Sequence, residues 1–188
     1  MGEAVRPAIV VVDMLKDVLA GKHPIGSEVR NIIPKINALT DFARSRSLPV
    51  LFSMDSFLPG DFIFKGKMKE HSIRGTEGAE VMAGLHQGPA DFYVPKRRFS
   101  AFFKTDLDQT LRLHDVDTVV LTGINTHWCV LTSALDALAN DFNAVIVEDC
   151  CASYKKEIHD SILNVYRTNP LYPLFRILSL EELMHEMG

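Results

Sequence analysis

Residues Ala8 to Val12 form an unbroken apolar run in which every residue after the alanine is β-branched. Such a run suits a strand buried on both faces, as in a parallel sheet. Comparable short runs recur at Pro49–Met54, Phe92–Val94, Thr118–Thr122, Ala144–Val147 and Leu174–Leu178. Between them the apolar positions change to a helical period. Ser27–Arg46 carries Val29, Ile32, Ile33, Ile36, Leu39 and Ala43 on one stripe. Pro34 suits a first turn, so the regular helix is expected to begin near Asn31. Helical patterns also fit 104–114, 127–141, 155–168 and 180–187.

This alternation predicts an α/β protein, a three-layer α/β/α Rossmann-like fold with a six-stranded, mostly parallel sheet. No repeat, low-complexity tract or break in composition divides the chain, so residues 1–188 are expected to form a single domain. The least regular stretch is Asp55–Ala90, and a loop this long is more often functional than idle. Its Phe57, Phe62, Ile63 and Phe64 are a candidate patch for a homo-oligomer, a dimer or tetramer.

Composition narrows the field. At 47% hydrophobic and 23% charged residues the chain is in the globular range, which excludes a disordered tail or a small disulfide scaffold. A net charge of −4 gives no footprint for nucleic acid or an anionic membrane as partner. The longest charge-free run, Thr118–Leu135, is too polar for a membrane span. The start lacks a basic stretch followed by an apolar one, so no signal peptide is expected. Three cysteines, two of them adjacent, imply no disulfide framework, and a reducing, cytoplasmic setting is expected.

In open parallel sheets, ligands bind outside the carboxyl ends of the strands, near the point where strand order reverses. An order 3-2-1-4-5-6 would put that point between strands one and four. Asp13 follows strand one, Lys96 ends strand three, and the turn after Gly123 leads to Cys129 at a helix start. A thiol is mostly un-ionised at neutral pH, but a helix N-terminus and an ammonium such as Lys96 both favour thiolate. Asp13 is placed to take the thiol proton and return it to a leaving amine. Backbone amides of the Gly123–Cys129 turn are placed to hold an oxyanion. The bland alternatives are a buried structural thiol at Cys129 and a solvated basic run at Lys96-Arg97-Arg98.

Other residues read more simply. Cys150 and Cys151 follow strand five and are expected to be packing residues, while Asp149 caps the next turn. His114, His159 and His185 read as surface or capping residues. Trp128 is either a pocket wall or a core or subunit contact. After strand one comes Asp13-Met14-Leu15-Lys16-Asp17-Val18 rather than a glycine-rich turn, so no dinucleotide cradle is encoded.

Three segments, AIVVVDMLKDVL, VPKRRFSAF and LTGINTHWCVLTSALDA followed by AVIVEDCCAS, resemble the isochorismatase-like cysteine hydrolases in order and over nearly the whole chain. That superfamily holds nicotinamidases, N-carbamoylsarcosine amidohydrolases and isochorismate hydrolases. The resemblance implies a triad of Asp13, Lys96 and Cys129, a cis peptide between Ile124 and Asn125, and an oxyanion hole from the amides of Asn125 and Cys129. Nicotinamidases carry Asp-x-His after strand two and a later His that together hold a metal. Here the stretch reads Asp55-Ser56-Phe57, and His71 resembles the later histidine. A transition-metal site wants three or more protein ligands. Asp55 and His71 are two, unless His23 or His86 joins them, so no cofactor is expected. A zinc-type metal, if held, would take Asp55 and His71.

The family's Asp-x-Gln-x-x-Phe is also altered, with Val18 in the aromatic position; Val18, Phe57 and Trp128 are the expected pocket walls. A cysteine at position 129 favours the amidohydrolase branch over vinyl-ether cleavage. The resemblance thus implies an N-carbamoylsarcosine-type amidohydrolase that cleaves the C–N bond of a small amide or carbamoyl compound through a thioester and releases ammonia. A nicotinamidase or pyrazinamidase is the alternative. A non-catalytic α/β binding or assembly module is the alternative of another class.

Overall fold

A computed structural model describes residues 5–22 and 25–188. Six strands, β1 (Pro7–Val12), β2 (Val50–Asp55), β3 (Phe92–Lys96), β4 (Thr118–Ile124), β5 (Asn143–Ala152) and β6 (Phe175–Leu178), form one sheet. The order is β3-β2-β1-β4-β5-β6, and every neighbouring pair is parallel. Strand order therefore reverses between β1 and β4.

The pleat of β1 sorts its side chains into two cores. Ala8, Val10 and Val12 face one layer, with α2 (Leu107–Leu113), α3 (Leu131–Ala139) and α4 (Lys156–Arg167). Ile9 and Val11 face the other, with α1 (Gly26–Ser45) and α5 (Leu180–Met187). Both faces are covered, which is why β1 reads as a continuous apolar run. Among the described residues no helix is long and apolar enough to cross a membrane.

Several element boundaries differ from the sequence expectation. Helix α1 begins at Gly26 and encloses Pro34 rather than starting near Asn31. Ile25 and Val29 are fully buried, so packing of the first turn outweighs the proline's lost hydrogen bond. Helix α2 starts at Leu107, after a turn in which Thr105 Oγ1 accepts from the Leu107 N–H. The helix expected at 127–141 divides into a π-turn at Thr126–Val130 and then α3. Strand β5 runs on to Ala152, so Cys150 and Cys151 lie within it. Cys150 packs in the α1 core and Cys151 in the α3 core, on opposite faces.

Residues 56–91, between β2 and β3, are irregular but fastened. Leu15 bridges to Val81, and the Met82 N–H donates to Met14 O at 3.0 Å. Arg44 of α1 grips Asp91 and donates to His86 O, while Asn37 donates to Gly84 O. Of the apolar patch expected here, Phe62 is 72% exposed, but Phe57 turns inward and is buried against Phe64 and His71.

Candidate active site

The carboxyl end of β2 and the turn after β4 open on one cavity of about 490 Å³, which Asp55, Asn125 and Cys129 line. The buried Asp13 and Lys96, at the ends of β1 and β3, are bonded to these lining residues. Asp13 follows β1 with a left-handed backbone, φ 52°, a conformation that aspartate tolerates better than most residues. Lys96 closes β3 directly opposite Asp55, which closes β2. Gly123 of β4 sits beside Val12 at φ +99°, and a β-carbon there would lie 2.2 Å from the Val12 carbonyl oxygen. Only glycine allows this approach of β4 to β1. Beyond it the Ile124–Asn125 peptide is cis, and the π-turn carries Cys129.

Four buried groups meet here. Lys96 Nζ donates to Asp13 Oδ2 at 2.8 Å, lies 3.6 Å from Cys129 Sγ, and also donates to Asp55 Oδ1. The Asp55 N–H donates to Asp13 Oδ1 at 2.8 Å. The Lys96 side chain is wholly buried, whereas Arg97 and Arg98 are 43% and 37% exposed, so the basic run divides after its first residue.

The electrostatics follow from one cation among two carboxylates. Burial alone would lower the Lys96 ammonium, but Asp13 and Asp55 outweigh it and hold the group well above its ordinary value. Burial and then Asp13 push the Asp55 carboxyl up to about 6, with Lys96 opposing. Burial pushes the Cys129 thiol well up, and Asp13 adds to this; Lys96 pulls the other way and is outweighed. Burial first and the Asp13 carboxylate second thus favour the thiol over the ammonium-stabilised thiolate that the sequence suggested, and Asp55 adds to them in the same direction.

The cavity walls come mostly from outside the sheet. Val18, Phe57 and Trp128 all line it, as do Asp17, Met68 and Phe99. Trp128 is 49% exposed and its ring lies 4.7 Å from Phe99, so it is a wall of the mouth rather than core. Asn125 reaches the same cavity. The turn bearing Cys129 is tied down from behind: Thr126 Oγ1 is 2.8 Å from His159 Nδ1, and His127 Nδ1 is 2.9 Å from Ser153 Oγ. His159 is thus half-buried behind the site rather than a surface residue. Asp149 accepts from the Leu180 N–H, so it caps α5 and not the turn that follows it.

The donors do not fit a zinc-type metal. Among the described residues, one set of three donors lies close enough together: Asp13, Asp55 and Cys129, within 4.8 Å of one another. Lys96 Nζ stands among them and is already bonded to both carboxylates, where a cation would have to sit. His71 is outside that set; its Nδ1 donates to Lys69 O at 2.9 Å. Phe57, buried beside His71, offers no donor. His86 pairs with Asp41, away from the cavity, and His23 lies outside the described residues.

Sequence reasoning found Asp13, Lys96 and Cys129 from the carboxyl-end rule. It weighed Asp55 for a metal and missed its bond to Lys96, although the same rule puts Asp55 at the end of β2. Phe99 and His159 left no pattern to find, because both meet the site through contacts between distant segments.

Comparison with known proteins agrees with this architecture. The solved structure of an isochorismatase-like hydrolase from Alkaliphilus metalliredigens superimposes with a TM-score of 0.88 at 30% identity, over 98% of this chain and 100% of that one. An N-carbamoylsarcosine amidase from Thermoplasma acidophilum gives a TM-score of 0.81 at 29% identity, over 94% and 98%. A protein of Arabidopsis thaliana described as a probable inactive nicotinamidase is 30% identical over 163 residues, 81% of this chain and 83% of that one. Residues 7–174 match the isochorismatase domain, and the chain belongs to the isochorismatase family.

Proposed function

We propose that the protein is a cysteine amidohydrolase acting on a small amide or carbamoyl compound, of the N-carbamoylsarcosine type. The observation that carries this reading is the contact of a buried ammonium with both a carboxylate and a thiol that lines one cavity. Asp13 takes the proton of the Cys129 thiol as sulfur attacks the carbonyl carbon. The oxyanion forms toward the N–H groups of Asn125 and Cys129. Asp13 then gives its proton to the departing nitrogen, ammonia leaves, and a thioester remains. Water, deprotonated by Asp13, cleaves the thioester and restores the thiol. Lys96 holds Asp13 in register and balances its charge through both steps.

Two observations support an amidase that needs no metal: the donor set that does not fit one, and the likeness to a carbamoylsarcosine amidase. The substrate reaches the site between Val18, Phe57 and Trp128. The exposed Phe62 favours a homo-oligomer, and a monomer on gel filtration would remove that part of the reading. The test is an ammonia-release screen over N-carbamoyl amino acids, ureidoacrylate, aliphatic amides, nicotinamide and pyrazinamide, with zinc or EDTA added. N-carbamoyl turnover that EDTA leaves unchanged and Cys129→Ala abolishes is the expected result. Nicotinamide turnover lost with EDTA would replace it with the nicotinamidase reading. Release of ammonia from none of these would favour a binding module.

A further inference from the structure

The mechanism above uses one of the two buried carboxylates. Asp55 remains, and it touches both ends of the machinery. Its carboxylate bonds to the Lys96 ammonium, and its N–H donates to Asp13 Oδ1 at 2.8 Å. The β2–β3 register sets the first contact, since Asp55 and Lys96 are paired residues at the ends of adjacent parallel strands. The position is the one that a metal, if held, would take, and the donors around it do not fit a metal.

We infer that Asp55 is a positioning residue, which fixes Lys96 and Asp13 relative to Cys129 and keeps the nucleophile a thiol until substrate arrives. The inference rests on the amidohydrolase reading. Its physical basis is a charge count. One ammonium and two carboxylates give this buried cluster a net charge of −1. Ionising the thiol would raise this to −2, which a buried site resists. With Asp55 neutral, the ammonium has one carboxylate to balance, and a thiolate beside it becomes far easier to form. A site that rests as thiol is also poorly oxidised, because oxidation proceeds through the thiolate. The titratable groups facing Cys129 are Asp13, Lys96 and Asp55, and His71 also acts on Asp55.

The experiment follows alkylation of Cys129 by iodoacetamide with mass spectrometry in the full-length protein, from about pH 6 to about pH 10. Wild type, Asp55→Asn and Asp55→Glu are compared, together with turnover of the best amide from the screen. Asp55→Asn is expected to alkylate about tenfold faster at neutral pH, as its profile moves down by about one unit. Its turnover is expected to fall about tenfold or more, because the reacting groups lose their register. Asp55→Glu keeps the charge, so its alkylation profile stays with wild type while its turnover falls. Superimposed profiles for wild type and Asp55→Asn overturn the inference, as does stoichiometric zinc held by wild type and lost in Asp55→Asn. If Asp55→Asn does not fold, undiminished turnover by Asp55→Glu overturns the positioning role. Turnover that survives Cys129→Ala sinks the amidohydrolase reading instead, whatever Asp55 does.

Discussion

Asp61 Oδ2 accepts the Nε proton of Arg97 at 3.0 Å, one residue beyond Lys96. The same carboxylate accepts the Leu58 N–H at 2.9 Å and bonds again to the Arg97 guanidinium. The start of the 56–91 loop is thereby bolted to the end of β3. These partners, the guanidinium first, hold the Asp61 carboxyl far below the usual carboxylate range.

A depressed carboxylate stabilises the fold above its unfolded value of 3.8 and loses that contribution as pH falls toward its folded value. Asp61→Asn should therefore lower the Tm at neutral pH, and the gap from wild type should close in acid. Thermal melts between about pH 7 and about pH 3 test this. A gap independent of pH would mean that the carboxylate charge is not what holds the loop.

Lys96→Met should be severe. Removing the ammonium leaves Asp13 and Asp55 buried together with no cation, a loss of about 3–5 kcal/mol. Urea denaturation measures the cost, and ammonia release should vanish in whatever fraction remains folded. A loss below about 1 kcal/mol would show the pair to be solvated.

Gly123→Ala should unfold the protein or cost about 4 kcal/mol or more. The new methyl would meet β1 backbone, which has no rotamer by which to move away, and φ +99° is hostile to alanine in any case. Chemical denaturation of this variant tests the β1–β4 approach directly.

The acid limb of kcat/KM should lie near pH 6. The Asp55 carboxyl is pushed up to about 6, by burial and then by Asp13, and only its ionised form holds Lys96. Activity therefore rises with pH through this range. Stability from the same group runs the other way: a raised carboxyl contributes below its ordinary 3.8 and loses that contribution as pH rises through 6. Asp55→Asn should therefore move this limb. An unchanged limb would assign it elsewhere.

The sheet was legible because fully buried parallel strands are written as continuous apolar runs, and β1 is the clearest case. The carboxyl-end rule then pointed at Asp13, Lys96 and Cys129 before any coordinates. The direction in which the Cys129 thiol is pushed was not legible, since it depends first on burial and then on the carboxylates that the strand ends bring beside it. Pro34 misled for a related reason: its local preference lost to the burial of Ile25 and Val29. The pocket walls were partly hidden because Phe99 and Met68 reach the cavity only through the folded loops.

The four buried groups of the cluster ride on strand ends and one turn, whereas much of the cavity wall rides on residues 56–91, which are laced to α1 through Asn37 and Arg44. Asn125 and Trp128 share the turn of Cys129, but much of the wall is thus carried by a piece of chain separate from the buried cluster. Exchanging this one segment between family members is a route to new substrates that leaves the reaction itself in place. Its success would depend on carrying Asn37 and Arg44 along with it.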